Sequence, residues 1–410
     1  MIKGVIITIK KYGFLLMTEK LTALPKPTGI FQIGWTHLNF IDENRVDPSP
    51  LAEGKKRDVP IMIWYPIDDS GTSSPLKLIK RRDLDSLKKF VLYQIIPDEF
   101  CDVLTNSYED VLITDKVRKL PVLIFSHGLT VTMDSYTILM EHMASHGYIV
   151  VSVGHPYDGV ASYPDGRSIP IDVKKYNEFF ERSRSEEEDK KSKEYLAQIQ
   201  REDISVEEMK KLTEKDLLGS ELDDQIEVWI DDVLFIKDIL IRMNGGKIES
   251  QFKGKMDLEK GIGVFGHSYG GATATLSCCL DDRLKYAVNM DGSMYGGLKE
   301  RFNFNQPSMF MYNGRSMGMN KYFYTINKDD SYRVSIKDSL HFDFTDLSYI
   351  MKTWKKELPE VLGKIDGNLM VRITNDYVLS FFDKYIKDKD ALLLERNPYN
   401  EVIFKKRIKE

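Results

Sequence analysis

The chain predicts an α/β fold in which a mostly parallel central sheet carries helices on both faces and a helical cap is inserted. Three observations carry that expectation. From Leu120 onward, short continuous apolar runs alternate with stretches of helical period, the pattern of strands buried on both faces and joined by crossover helices. One apolar run, Ile262 to Phe265, turns through Gly266-His267-Ser268-Tyr269-Gly270 into small residues that open a helix. Between residues 170 and 221 the composition changes to dense mixed charge.

Taken in order, residues 1–28 read as a separate N-terminal segment, disordered or upstream of a start at Met17. The apolar stretches there are split by Lys10-Lys11 and no small-residue cleavage site follows, so a signal peptide fits poorly. The core is expected over 29–169 and 222–410. Gly29 to Phe40 and Val59 to Tyr65 read as antiparallel strands with Pro- and Gly-marked turns, and Asp83 to Ile96 as a helix. Leu120 to Phe125 and Tyr148 to Val153 are buried strands flanking a helix from Met133 to Ser145. Leu222 to Met243 holds apolar residues at three- and four-residue steps, and Asn244-Gly245-Gly246 stops it. Strands at Tyr286–Met290, Ser308–Tyr312 and Tyr332–Ile336 follow, then a C-terminal helix carrying Tyr377, Leu379, Phe381, Phe382 and Tyr385.

The bulk properties exclude several classes. With 410 residues, 42% hydrophobic and 30% charged, the chain can bury a large core. A net charge of −5 and pI near 5.9 are not those of a nucleic-acid binder. Three cysteines, two of them adjacent at Cys278 and Cys279, make neither a disulfide framework nor a metal-ligand spacing. No cofactor or metal is expected. No apolar run is long enough to span a membrane. The protein is read as cytoplasmic, with secretion left open, and its oligomeric state is not written in the sequence.

The turn at Ser268 points to nucleophilic chemistry. Serine at the apex of a strand-to-helix turn, with glycine two residues either side, is a nucleophile elbow. A Cβ at Gly266 or Gly270 would clash with the neighbouring strand or helix. Such a serine needs a base, an acid to orient the base, and donors for an oxyanion. In the α/β-hydrolase order of serine, acid, histidine, only His341 of the seven histidines lies downstream of Ser268. For the acid, Asp291 directly follows the strand Tyr286–Met290, while Tyr312-Asn313-Gly314-Arg315-Ser316 holds no carboxylate. Asp343 and Asp346 are the reserves, too near His341 in sequence to reach its far nitrogen. The oxyanion donors are expected to be the N–H of Tyr269 and that of Leu129, after Ser126-His127-Gly128. His127 and His267 read as bracing residues. Met294, Tyr295, Phe342 and Tyr157 are the expected pocket walls.

Phe125-Ser126-His127-Gly128-Leu129, Ala144-Ser145-His146-Gly147-Tyr148, the block Gly266 to Thr273, Met290-Asp291 and Leu340-His341-Phe342 together resemble the plasma-type platelet-activating factor acetylhydrolases. Asp47-Pro48 through Trp64-Tyr65-Pro66, and His155-Pro156-Tyr157-Asp158-Gly159, are similar to related bacterial carboxylic-ester hydrolases. The resemblance covers roughly residues 30–166 and 222–388. It implies a Ca²⁺-independent serine hydrolase of short acyl esters, with Ser268, Asp291 and His341 as triad and Leu129 and Tyr269 as oxyanion donors. Thr130 stands where the family often has Gly, and Asp291 is followed by Gly-Ser-Met-Tyr instead of an aromatic-rich segment.

The expected function is therefore a carboxylic-ester hydrolase of a small-molecule or lipid ester. The alternatives are a hydrolase of platelet-activating-factor-like or oxidised phospholipids, and a non-catalytic binding protein on the same fold. The 170–221 insertion is expected to be helical, either a solvated excursion or a lid. In the lid reading its charge run faces solvent and Tyr176, Phe179, Phe180 and Tyr195 line the pocket.

Overall fold

Strands whose every side chain is apolar can be satisfied only inside a sheet covered on both faces, and such strands form the middle of this molecule. The computed structural model describes residues 21–409 except 91, 92, 95, 184, 185, 218–221, 354–357, 359 and 360. In chain order the elements begin with β1 (Gln32–Val46), β2 (Lys56–Ile67), α1 (Arg81–Leu87), β3 (Ser107–Glu109), β4 (Leu120–Ser126), α2 (Thr137–Ser145) and β5 (Ile149–Val153). A short pair, β6 (Ala161–Ser162) and β7 (Ser168–Ile169), precedes α3 (Val173–Ser183), α4 (Glu186–Ile199), α5 (Val206–Leu217) and α6 (Leu222–Asn244). Then come β8 (Met256–Asp257), β9 (Ile262–His267), α7 (Tyr269–Cys278), β10 (Leu284–Met290), β11 (Ser308–Tyr312) and α8 (Lys321–Ile326). The chain closes with β12 (Ser331–Ile336), α9 (Asp346–Thr353), α10 (Gly367–Lys387) and β13 (Val402–Arg407).

Among the described residues, eleven strands form one sheet in the order β13-β12-β11-β10-β9-β4-β5-β2-β1-β3, with β8 pairing with β4 off this path. The middle, from β5 through β4, β9, β10 and β11 to β12, is parallel. Antiparallel β2 and β13 border it. Successive residues of the central strands serve opposite faces. Leu123, Phe125, Phe265 and Val288 join Met140 and Met143 of α2 and Phe381 and Phe382 of α10 in one core. Val122, Ile124, Val264 and Ala287 join Val233, Ile236 and Leu240 of α6 in another. Each such fully buried side chain contributes about 1.5–3 kcal/mol.

Sequence and structure differ at several boundaries. The helix expected from Met133 begins at Thr137, because Thr132, Asp134 and Ser135 bond to one another and hold a turn instead. Of the helix expected over Asp83–Ile96, the described residues form an α-helix at Arg81–Leu87. The edge strand β13, V-I-F-K-K-R, was not anticipated. Residues 1–20, with Met17, lie outside the described residues.

Candidate active site

Between the end of β9 at His267 and the start of α7 at Tyr269, Ser268 alone makes the turn, at φ 57° and ψ −127°. Residues with a side chain rarely adopt that conformation. The tightness depends on the flanking glycines. A Cβ on Gly266 would lie 2.2 Å from the Gly270 carbonyl oxygen, and one on Gly270 would lie 2.1 Å from that of Ser126. The Ser268 N–H donates to the Met290 carbonyl at 2.8 Å, which ties the turn to the end of β10.

There the chain enters Asp291 at φ 59°. The following Gly292 is pressed so close that a Cβ would lie 2.0 Å from the Ser268 carbonyl oxygen. The small residue after Asp291 is therefore a steric requirement. His341 enters from the loop after β12, with Nδ1 2.6 Å from Asp291 Oδ2 and Nε2 2.9 Å from Ser268 Oγ. The carboxylate can only accept, so Nδ1 carries the proton and Nε2 accepts from the serine hydroxyl. Asp291 also accepts from the Asn313 N–H at 3.0 Å, from Asn313 Nδ2 at 2.5 Å and from the Ser316 hydroxyl. Burial pushes the Asp291 carboxyl up, but the bonds from His341, Ser316 and Asn313 outweigh it and hold it at about 2.

The reserve acids are placed elsewhere. Asp343 accepts from the Leu340 and Gly363 N–H groups at 2.7 and 2.6 Å and pairs with Lys352, so it shapes the loop that carries His341. Asp346 accepts from the Ile138 N–H at the start of α2. Asn313 and Ser316 escaped the sequence reading. The stretch Tyr312–Ser316 lacks a carboxylate, and what it supplies is donors.

The loop after β4 packs directly on the elbow, since a Cβ on Gly128 would sit 3.2 Å from Ser268 Cβ. Leu129 is half-buried just beyond it. Thr130 holds φ 66°, a strained conformation for a β-branched residue. Its N–H bonds to the Asp158 carbonyl at 2.7 Å. Two histidines brace this region. His127 Nδ1 bonds to the Gly128 carbonyl at 2.7 Å, and its Nε2 accepts from the His155 N–H at 3.2 Å. His267 Nε2 donates to the His341 carbonyl at 3.0 Å, while its Nδ1 accepts from the Tyr136 hydroxyl at 2.8 Å. That hydroxyl in turn accepts from the Gly128 N–H at 3.1 Å. Burial, with His341 alongside, pushes His267 well below the usual imidazole range. Tyr136 thus links the loops on either side of Ser268, a role no local sequence signal announces.

The expected pocket walls divide. Met294 is fully buried in a cluster with Trp229, Tyr269 and Phe310, so it is core. Tyr295 borders that cluster, 5.9 Å from the Tyr269 ring. Phe342 lines an apolar cavity of about 40 Å³ with Tyr93, Val131 and Leu347. Tyr157 is half-buried at φ 70°, and its carbonyl accepts from the Asp172 N–H ahead of α3.

Two aromatic residues of the insertion, Tyr176 and Tyr195, are tied down and not free to line a pocket. Tyr176 is fully buried and donates to Asp158 at 2.6 Å, as Trp229 does at 2.8 Å. Tyr195 packs with Ile199, Ile204 and Met209, and its hydroxyl bonds to the Met319 carbonyl at 2.7 Å. Phe179 is half-buried against the Trp229–Tyr269 cluster; the Phe180 side chain lies outside what is described. Glu186, Glu187 and Lys190 of the charge run are exposed. α4 and the residue after it lie against the loop before α8, where Tyr195 and Gln200 bond to the Met319 and Met317 carbonyls, and α5 packs on α8.

His267, Asp291 and His341 each bring one ligand-capable atom within 4.8 Å of the others. Each of the three is already engaged in hydrogen bonds, which account for their convergence. Among the described residues no helix is long and apolar enough to cross a membrane.

A parallel sheet that carries a strand–serine–helix elbow, an aspartate after the next strand and a histidine after the last parallel one defines the α/β-hydrolase class. A solved ferulic acid esterase from Streptomyces cinnamoneus shares the architecture, with a TM-score of 0.71 over 94% of this chain and 99% of that one, at 20% identity. Residues 16–394 match the family described as platelet-activating factor acetylhydrolase, isoform II, and the chain belongs to that family. It is 25% identical over 379 residues to the platelet-activating factor acetylhydrolase of Bos taurus, covering 88% of this chain and 77% of the relative. The Cavia porcellus protein of the same name is 24% identical over 376 residues, covering 89% and 78%. Membership supports ester hydrolysis as the chemistry of this chain.

Proposed function

We propose that the protein is a metal-independent serine hydrolase of short-chain carboxylic esters. The observation that carries this reading is the unbroken chain from Asp291 through His341 to Ser268, at 2.6 and 2.9 Å, on a serine held at a left-handed φ. In this mechanism Ser268 Oγ attacks the ester carbonyl carbon while His341 Nε2 takes its proton. Asp291 holds the imidazole by Nδ1 and stabilises the imidazolium. The N–H groups of Leu129 and Tyr269 receive the oxyanion. His341 then returns the proton to the departing alkoxide, leaving an acyl-Ser268 ester. Water, deprotonated by the same histidine, attacks the acyl carbon, and His341 hands that proton to Ser268 Oγ as the bond to it breaks and the acid leaves.

Family membership favours a second, narrower substrate, a platelet-activating-factor-like ester, since the relatives are named platelet-activating factor acetylhydrolases. The segment 173–217 is proposed to be a fixed cap, because Tyr176 and Tyr195 tie it to Asp158 and Met319. The deciding experiment is turnover of p-nitrophenyl esters of increasing acyl length, with and without EDTA. Rates that fall with chain length and ignore EDTA are expected. No turnover of any ester, or loss with EDTA restored by a divalent ion, contradicts the proposal.

A further inference from the structure

Away from the serine, the end of α4 and the residues after it stand over the sheet margin formed by β12 and β13. They enclose a cavity of about 340 Å³, lined among others by Gln200, Glu202, Lys321, Arg333 and Lys405. That volume falls within the roughly 300–1,000 Å³ of small-ligand sites. Its charge is one-sided. Arg333 on β12 and Lys405 on β13 are direct partners across the antiparallel pair, a placement of like charges that costs a sheet stability. Lys321 joins them from the start of α8, and among the described residues its Nζ meets only a backbone carbonyl, that of Arg201, at 2.5 Å.

Among the described residues, none of the three cations forms an ion pair. Arg201 forms an ion pair with one facing acid, Asp203, at 3.2 Å, which leaves Glu202 as the single lining carboxylate. Arg333 Nε is buried without a hydrogen-bond partner, and its guanidinium is held by the rings of Tyr312 and Tyr324 at 5.9 and 5.4 Å. Burial and the two neighbouring cations pull the Lys321 ammonium below its usual range. A fold tolerates a buried orphan donor and facing like charges where something outside the chain completes them.

We propose that this cavity binds a phosphate-bearing anion, with the Arg333 fork on two phosphate oxygens and Lys321 and Lys405 as flanking charges. A guanidinium matches phosphate in a bidentate manner and ammonium groups add point charge, so three converging cations suit a phosphate better than a lone carboxylate. The anion is either free phosphate or the phosphodiester of a lipid headgroup, and both share this chemistry.

The test is thermal unfolding of the full chain at constant ionic strength, titrated with inorganic phosphate in one arm and glycerophosphocholine in the other. A saturable rise in Tm by a few degrees is expected in at least one arm. Saturation by inorganic phosphate alone assigns the free anion, and by glycerophosphocholine alone the headgroup. Arg333→Gln and the exposed Lys405→Gln should each reduce the rise several-fold. Without ligand Lys405→Gln should melt at or above the wild type, because it removes a repulsion, while Arg333→Gln also gives up the Tyr312 and Tyr324 ring contacts and is read by its ligand response alone. No saturable rise in either arm overturns the proposal, as does a rise that survives both substitutions. A Lys405→Gln variant that melts well below the wild type without ligand also overturns it, since that cation would then be structural.

Discussion

In one chain of hydrogen bonds Asp291, His341 and Ser268 are joined at 2.6 and 2.9 Å. In another, Asp232, His155 and Ser126 are joined at 2.9 Å twice, through the same pair of ring nitrogens. The residue types and connectivity are the same, and the surroundings are opposite. The His341 side chain is 39% exposed and that of His155 is 0%. Ser268 sits at a left-handed turn heading a helix, whereas Ser126 is the fully buried last residue of β4. Asp291 is held by neutral donors besides its histidine. Asp232 carries the buried Arg57, bonded at 2.7 and 3.1 Å, and the half-buried Arg45 at 2.9 Å. The Trp229 ring lies flat on His155 at 3.7 Å. Three residue types in the right order are thus insufficient for nucleophilic chemistry. A half-exposed histidine and a strained serine at the head of a helix separate the proposed triad from an internal brace.

The comparison can be broken most directly by substitution. Ser268→Ala and His341→Ala should each lower kcat on a p-nitrophenyl ester by about 10⁴- to 10⁶-fold, with the double variant little worse. Ser126→Ala should leave kcat within a few-fold. A comparable loss at Ser126 would erase the distinction.

Stability should sort the two aspartates the other way. Asp232→Ala strips a buried arginine of its partner and should cost about 3–5 kcal/mol in urea unfolding. Asp291→Asn should spare most of the stability and remove most of the activity. A silent Asp232→Ala would mean that the buried network is not a brace.

Acid titration sharpens the contrast. Asp291 is held at about 2 against an ordinary value of 3.8, so its folded-state pKa is depressed. Its contribution, about 2 kcal/mol, is fully present above pH 4 and is lost as pH falls toward 2. The stability gap between wild type and Asp291→Asn should therefore shrink as pH falls from about 4 toward 2. A gap that widens over that range reverses the sign and contradicts the assignment.

The smallest effect is expected at Tyr136. Tyr136→Phe removes the bond that joins Gly128 to His267 and should lower kcat by about tenfold, with KM nearly unchanged. An unchanged kcat would mean that the two loops are positioned without it.

What was legible in the sequence follows from how local each cause is. Gly266, Gly270 and Gly292 answer to clashes within a few residues or with the adjoining strand, so the elbow could be read from its own pattern. Asp291 showed as a charged residue at the end of a buried strand, and His341 by chain order. The donors that hold Asp291 come from the loop after β11, and polar loop residues do not reveal their partners. The Arg57–Asp232 bond spans 175 residues, and nothing local announces it. The Tyr176 case is similar. A buried aromatic at helical spacing fits a pocket wall or a core equally well, and the buried Asp158 carboxylate decided for the core. Strand β13 was missed because V-I-F-K-K-R is too polar for the apolar-run signal that marks the central strands.

The proposed difference between the two serines is tested most directly by covalent labelling. Full-length protein would be treated with a fluorophosphonate and the adduct located by peptide mass spectrometry, alongside Ser268→Ala and Ser126→Ala. One adduct per chain on Ser268 is expected, absent in Ser268→Ala and retained in Ser126→Ala. An adduct on Ser126, or labelling that persists in Ser268→Ala, would contradict the assignment of Ser268 as the reactive serine.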